Sequence, residues 1–190
     1  SNRTKSIRIY NAIYFLSYKS VLFTMAFAQK IYDISVAPYL KDVPLIYSAE
    51  GSLVAMFMLV YVSKIVHALT SLLLTAKYDN VQSSHRYSGK NDGTWTWQRL
   101  AAQRAFNAHL NQWEAFVAFG LSMLLALHQR VDRAVLTQLA NAFLCVRVLY
   151  NIVYVLAFNG PLSIVRSAVW TVGFSILLKI LSLAVPSIHV

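Results

Sequence analysis

Four long apolar stretches separated by polar segments organise the chain from residue 53 onward. The first covers about 53–76, with Lys64 and His67 as its internal polar interruptions. A polar segment, 77–98, comes next and ends in Trp95 and Trp97, an aromatic pair of the kind that sits at headgroup level. The second helix covers about 99–128, polar on one side in its first half and apolar from Ala115 to Leu127. The third covers about 134–158 with Arg147 near its middle, and Asn159-Gly160-Pro161 predicts a sharp turn. The fourth covers about 162–185 and stops before Pro186. A membrane-crossing helix needs about 20 residues, and each of the four is long enough, the second with its polar side in the first half. The pattern predicts an all-α integral membrane four-helix bundle over residues 51–190.

Residues 1–50 have a different texture. The run from Ile9 to Leu40 is apolar and aromatic, but Lys19, Gln29, Lys30 and Asp33 interrupt it. It reads as an N-terminal amphipathic extension of one or two helices, lying at the interface or packed on a partner, with Pro38 and Pro44 breaking the chain afterwards. A fifth span over 9–32 is the alternative, with Lys19 snorkelling from a helix end. Aromatic richness suits a contact surface. The basic start, Arg3, Lys5 and Arg8 without an initiator Met, fits the removal of an organelle-targeting sequence by cleavage. The expected location is the mitochondrial inner membrane, with the endoplasmic reticulum or a bacterial inner membrane as alternatives.

Composition agrees with the pattern. The chain of 190 residues is 57% hydrophobic and 13% charged, where a soluble domain carries about 25% charged residues. That excludes disordered, collagen-like and disulfide-rich classes, and a large soluble enzyme core. The net charge of +10 comes from Lys and Arg placed singly between apolar runs. Such residues face anionic headgroups and make no basic stripe, so the expected partners are membrane lipids and not nucleic acid. With both termini on one side, the excess of basic residues there favours the side facing the compartment of synthesis. Cys145 is alone, lies in an apolar run and is expected to be a small buried hydrophobe. His67, His85, His109, His128 and His189 are scattered, and no metal site is proposed. No P-loop, GxGxxG or Ser/His/Asp arrangement points to another catalytic class.

Charged residues inside a span cost about 2.5–3.5 kcal/mol each on insertion scales. Glu114, Arg147 and Arg166 therefore need a reason. Arg104, Asn107, Asn111 and Glu114 follow i, i+3, i+7, i+10 and share one face of the second helix. Arg147, Tyr150 and Tyr154 share a face of the third. Arg166-Ser167 lies near the start of the fourth, where the backbone dipole favours anions. Together these faces form a polar seam that offers guanidinium groups to carboxylates, a carboxylate to an amine, an amide and phenols. One reading is a site for a small zwitterionic or anionic ligand, with Arg166 and Ser167 stabilising a thiolate. The other is that Glu114 and Arg147 neutralise one another across two helices, with Asn111 and the tyrosines completing the hydrogen bonds.

The strings Arg104-Ala…Asn107-Ala-His109-Leu-Asn111-Gln-Trp-Glu114, Arg147-Val-Leu-Tyr150…Tyr154 and Pro161…Arg166-Ser-Ala-Val-Trp170-Thr-Val-Gly173 resemble the MAPEG superfamily, the membrane-associated proteins of eicosanoid and glutathione metabolism. The resemblance covers residues 53 to about 185. It implies a left-handed four-helix bundle assembled as a trimer, with glutathione between neighbouring protomers near one membrane face. By that resemblance Asn111 and Glu114 hold the glutathione backbone, and Arg147, Tyr150 and Tyr154 line the same site. Arg104 and Asn107 complete the candidate binding set, and Arg166 with Ser167 activates the thiol. Bound lipid is expected as well. The chain departs from the family pattern at Asn107, where many members have Arg, at Leu110, where some do, and at Ala118 in place of Pro. It also has a longer connection from Tyr154 to Arg166. Two functions stand open: an accessory, structural subunit of a large organellar membrane complex with a partly eroded glutathione site, or a trimeric glutathione-dependent transferase or peroxidase acting on lipophilic substrates.

Overall fold

The computed structural model describes residues 23–75, 97–157 and 160–185. Most of the segment read as a fifth span, the loop 77–96 with Trp95 and His85, and the end carrying His189 lie outside the described residues. All regular structure among the described residues is helical. Residues 23–35 form α1, a 3-10 turn covers Ala37–Asp42, and four long helices complete the chain: α2 (Ala49–Thr75), α3 (Trp97–His128), α4 (Arg133–Leu156) and α5 (Gly160–Ala184). Each of the four contains a stretch of 24 residues or more that is long and apolar enough to cross a membrane. At 1.5 Å per residue, 24 residues rise about 36 Å, which exceeds the roughly 30 Å hydrocarbon core. The chain is an integral membrane protein.

The helices run alternately up and down. Gln112 reaches Met56 while Phe106 meets His67, so α2 and α3 are antiparallel. The core sits where four faces meet, around Met56, Phe119, Met123, Leu136, Leu139, Phe143, Ile176 and Ile180. Phe119 and Phe143 stack with centroids 4.8 Å apart. Gly173 lets α5 approach α4 closely: a Cβ there would lie 3.4 Å from Val146 Cγ1.

Two boundaries show why local chemistry placed them. Asp132 caps α4, accepting from the Ala134 and Val135 N–H groups at 2.6 and 3.3 Å. Arg130 before it takes φ 55°. The Val131 N–H donates to the Ala126 carbonyl and the Arg130 N–H to the Leu127 carbonyl, which closes the end of α3 as a Schellman motif. At the other junction both helix boundaries fall two residues earlier than expected, with α4 ending at Leu156. α5 already begins at Gly160, with Pro161 in its first turn. A proline there loses no intrahelical bond, so it starts the helix instead of breaking it.

The extension packs on its own bundle. Ala28, Tyr32 and Val36 are buried, and Tyr32 and Val36 join the main core. Lys179 on α5 donates to Gln29 at 3.4 Å and sits over the Tyr32 ring at 5.5 Å. The link into α2 is held by Asn141 on α4. Its Oδ1 accepts from the Ile46 and Tyr47 N–H groups, both at 3.1 Å, and its Nδ2 donates to the Tyr47 carbonyl at 2.7 Å. One expectation fails on α4: Cys145 is exposed. It points away from the bundle, where a membrane supplies the apolar surroundings that a core supplies in a soluble protein.

Candidate functional site

The polar seam is real but is divided differently from the sequence pattern. Asn111, Tyr150, Tyr154, Arg166, Ser167, Trp170 and Thr171 line a cleft of about 490 Å³ between α3, α4 and α5. A smaller adjoining cleft of about 210 Å³ shares Asn111 and Trp170 and adds Glu114, Arg147 and the Gly173 backbone. Seven of the nine candidate residues thus line one of two neighbouring clefts. Arg104 and Asn107 do not. Arg104 donates through Nε to the Val155 carbonyl at 3.2 Å, near the end of α4, and the Asn107 carbonyl accepts from Asn111 Nδ2.

Arg147 is 4% exposed. Its partner is not Glu114. The guanidinium donates through Nε and Nη2 to Gln112 Oε1 at 3.1 and 2.7 Å, and through Nη2 to the Asn111 carbonyl at 3.0 Å. It also lies 4.4 Å from the centroid of the Tyr150 ring. Asn151 closes the network by donating to the same Gln112 oxygen at 3.1 Å. The expected Glu114–Arg147 neutralisation does not form. Gln112 takes the guanidinium from the same helix, α3, where it is fully buried, while the Glu114 side chain is exposed. Gln112 and Asn151 are the residues that the sequence pattern missed. Both are neutral amides; Gln112 lies off the face that carries Asn111 and Glu114, whereas Asn151, four residues after Arg147, shares its face and was open to the same spacing argument.

Arg166 belongs to the cleft. Its guanidinium lies 4.7 Å over the Tyr154 ring and donates to Ser163 Oγ at 3.2 Å. Tyr154 in turn packs edge-on against Tyr150 at 5.5 Å. The long connection from Tyr154 therefore does not carry Arg166 away. The two cations are joined by two phenol rings, and no carboxylate among the described residues pairs with either. An ion pair that does form among the described residues, Arg133–Glu50 at 2.9 Å, is exposed and lies where α2 and α4 begin, at the far end of the bundle from Arg166.

A family model described as the MAPEG family matches residues 52–185. The chain belongs to the MAPEG family. The match takes in nearly all of the four membrane-spanning helices and both clefts, and it leaves the extension outside. No curated protein and no solved structure matches the chain. Family membership agrees with the four membrane-spanning helices.

Proposed function

We propose that this MAPEG protein binds glutathione, or a thiol peptide of the same charge pattern, in the paired clefts and presents its thiol to a lipophilic substrate. The observation that carries this reading is the pair of guanidinium groups, Arg147 and Arg166, lining adjoining clefts with no paired carboxylate among the described residues. A cation buried in a membrane span is costly without an anion. A peptide with two carboxylates and one ammonium fits two guanidiniums and one exposed carboxylate, Glu114. Glutathione supplies a nucleophilic thiol when bound. Arg147, locked by Gln112, offers a fixed positive charge at the inner cleft. Asn111 borders both clefts and is placed to hold peptide groups. Arg166 lies in the second turn of α5 with Ser167 beside it. Positive charge near a helix N-terminus lowers a thiol's pKa, so these two residues favour the reactive thiolate.

The test is glutathione binding and thiol-dependent turnover by the full chain in nanodiscs, compared with Arg166→Ala. The expected result is binding weakened about tenfold to a hundredfold, the loss of about 1.5–3 kcal/mol of charged hydrogen bonding, with turnover abolished and assembly intact. Undiminished turnover in that variant would overturn the assignment.

A second reading, an accessory subunit of a larger organellar complex such as one of the mitochondrial inner membrane, is favoured by the outer face of the extension. Phe23, Phe27, Ile34, Tyr39, Leu45 and Ile46 are all more than half exposed while the opposite face is packed. Phe27→Asp with Ile34→Asp changes only that outer face. If the chain is such a subunit, the double variant loses co-migration with the large assembly in gently solubilised membranes. A homotrimer-sized particle, unchanged by the two substitutions, would rule the subunit out.

A further inference from the structure

Gln112 is uncharged and fully buried at the centre of the polar seam. Its neighbours set the orientation of its amide. Arg147 can only donate, so the Gln112 atom that meets Nε and Nη2 at 3.1 and 2.7 Å is the oxygen. Asn151 spends both hydrogens of Nδ2 nearby, one on the same Gln112 oxygen and one on the Arg147 carbonyl, each at 3.1 Å. On the other side, Gln112 Nε2 faces the Met56 sulfur on α2 at 3.5 Å. One oxygen thus takes three donors from α4, and its amide is held from α2 as well.

The guanidinium is fixed by the same contacts. Nε and Nη2 are bonded, Nη2 also to the Asn111 carbonyl at 3.0 Å, while Nη1 makes no hydrogen bond with the protein. Nη1 is not sealed in, since the one enclosed side-chain polar atom without a partner among the described residues is Asn151 Oδ1. Arg147 lines the smaller cleft. No carboxylate contacts the guanidinium, although Glu114 lines the same cleft. A carboxylate at position 112 would accept the same hydrogen bonds and would pair with the cation directly. An amide accepts the bonds and brings no charge.

We infer that Gln112 is a positioning residue that makes the smaller cleft selective for a carboxylate: it fixes Arg147 through Nε and Nη2 without neutralising it, and leaves Nη1 to donate to the ligand. One of the two carboxylates of glutathione is then the group that Arg147 takes, an assignment that rests on the glutathione reading above. Gln112 itself touches no ligand and acts through Arg147.

The experiment uses the full chain in phosphatidylcholine nanodiscs. The probes are glutathione and its diamide, in which both carboxylates are neutral carboxamides, and binding is measured by equilibrium dialysis against empty discs. The wild-type chain should bind glutathione at least about tenfold more tightly than the diamide, the least that a charge-assisted bond contributes. Gln112→Glu keeps the shape and the hydrogen bonds and pairs Arg147 with a carboxylate. Glutathione should then bind about tenfold more weakly with the diamide unchanged, in a protein that still unfolds cooperatively on heating. Gln112→Met removes the acceptor and leaves the charge, and glutathione affinity should fall only about threefold, the cost of immobilising a freed side chain. A residue that served packing alone would give the opposite order, because methionine loses the hydrogen bonds that glutamate keeps. An undiminished preference for glutathione in Gln112→Glu would overturn the proposal. If that variant does not fold, unchanged glutathione affinity in Gln112→Met would overturn it. Equal binding of the two probes by the wild-type chain would overturn the carboxylate assignment alone, whereas no binding of glutathione would overturn the ligand reading and this assignment with it.

Discussion

Asn141 and Arg147 stand six residues apart on α4, both buried at 2% and 4% exposure, and both are polar groups in a membrane helix. Their surroundings differ in kind. Asn141 meets four neutral backbone groups, those of Ile46, Tyr47 and Thr137, and its amide is complete: two bonds accepted and two donated. Arg147 also has good hydrogen bonds, to Gln112 and to the Asn111 carbonyl, but every acceptor is neutral. These bonds engage Nε and Nη2, and no carboxylate is in contact with the guanidinium. A closed neutral network needs nothing from outside and serves the fold. A cation held by neutral acceptors beside a cleft suits an anion, the arrangement the proposed ligand site uses.

The largest effect should come from opening the closed network. Asn141→Leu strands two backbone N–H groups and a carbonyl, at about 1–3 kcal/mol for each group left buried. Thermal unfolding in detergent should show a loss of about 3 kcal/mol or more. A loss below about 1 kcal/mol would mean that water or a shifted segment replaces the amide, and the contrast would weaken. Arg147→Met sharpens the comparison from the other side. Gln112 Oε1 keeps its bond from Asn151, and removing an unpaired buried charge for a well-packed apolar chain is often neutral or stabilising. Stability should therefore hold or rise, while glutathione binding falls by about 2 kcal/mol or more. If the variant is strongly destabilised instead, Arg147 belongs with Asn141 as a structural group. The smallest effect lies outside both networks. Arg130 holds a left-handed conformation at the end of α3, and Arg130→Gly should raise stability by about 0.5–1 kcal/mol with ligand binding unchanged. A decrease would show that the Arg130 side chain contributes more than its backbone strain costs.

Three of the four spans were legible as apolar runs of the right length, and α3 by its apolar second half joined to a helix polar on one side. Their ends were less so: Pro161 reads as a breaker until its place in the first turn is known. The charged members of the site were legible by type, since Glu114, Arg147 and Arg166 stand out against apolar neighbours. Their pairing was not. Helical spacing says which residues share a face, but whether Arg147 meets Gln112 or Glu114 depends on how α3 is rotated against α4. Arg104 shares the face of Asn111 and Glu114 yet binds a backbone carbonyl, because it lies nearer the end of α4. Asn141 gave no signal at all, for its partners are main-chain groups that no side-chain pattern records. Cys145 was misread because burial in a core and exposure to lipid place the same demand on a small apolar side chain.

The Asn141 bridge also orders events in time. The bonds from Ile46 and Tyr47 join positions 95 and 94 residues apart, and Lys179 reaches Gln29 across 150. During synthesis the extension emerges well before α4 exists to receive it, and before α5 supplies Lys179. Contacts of such sequence separation form late, after the local helices. Until then Tyr32 and Val36 have no core to enter, and the bilayer surface is the nearest place for them. The extension is made ahead of the bundle and seated after it.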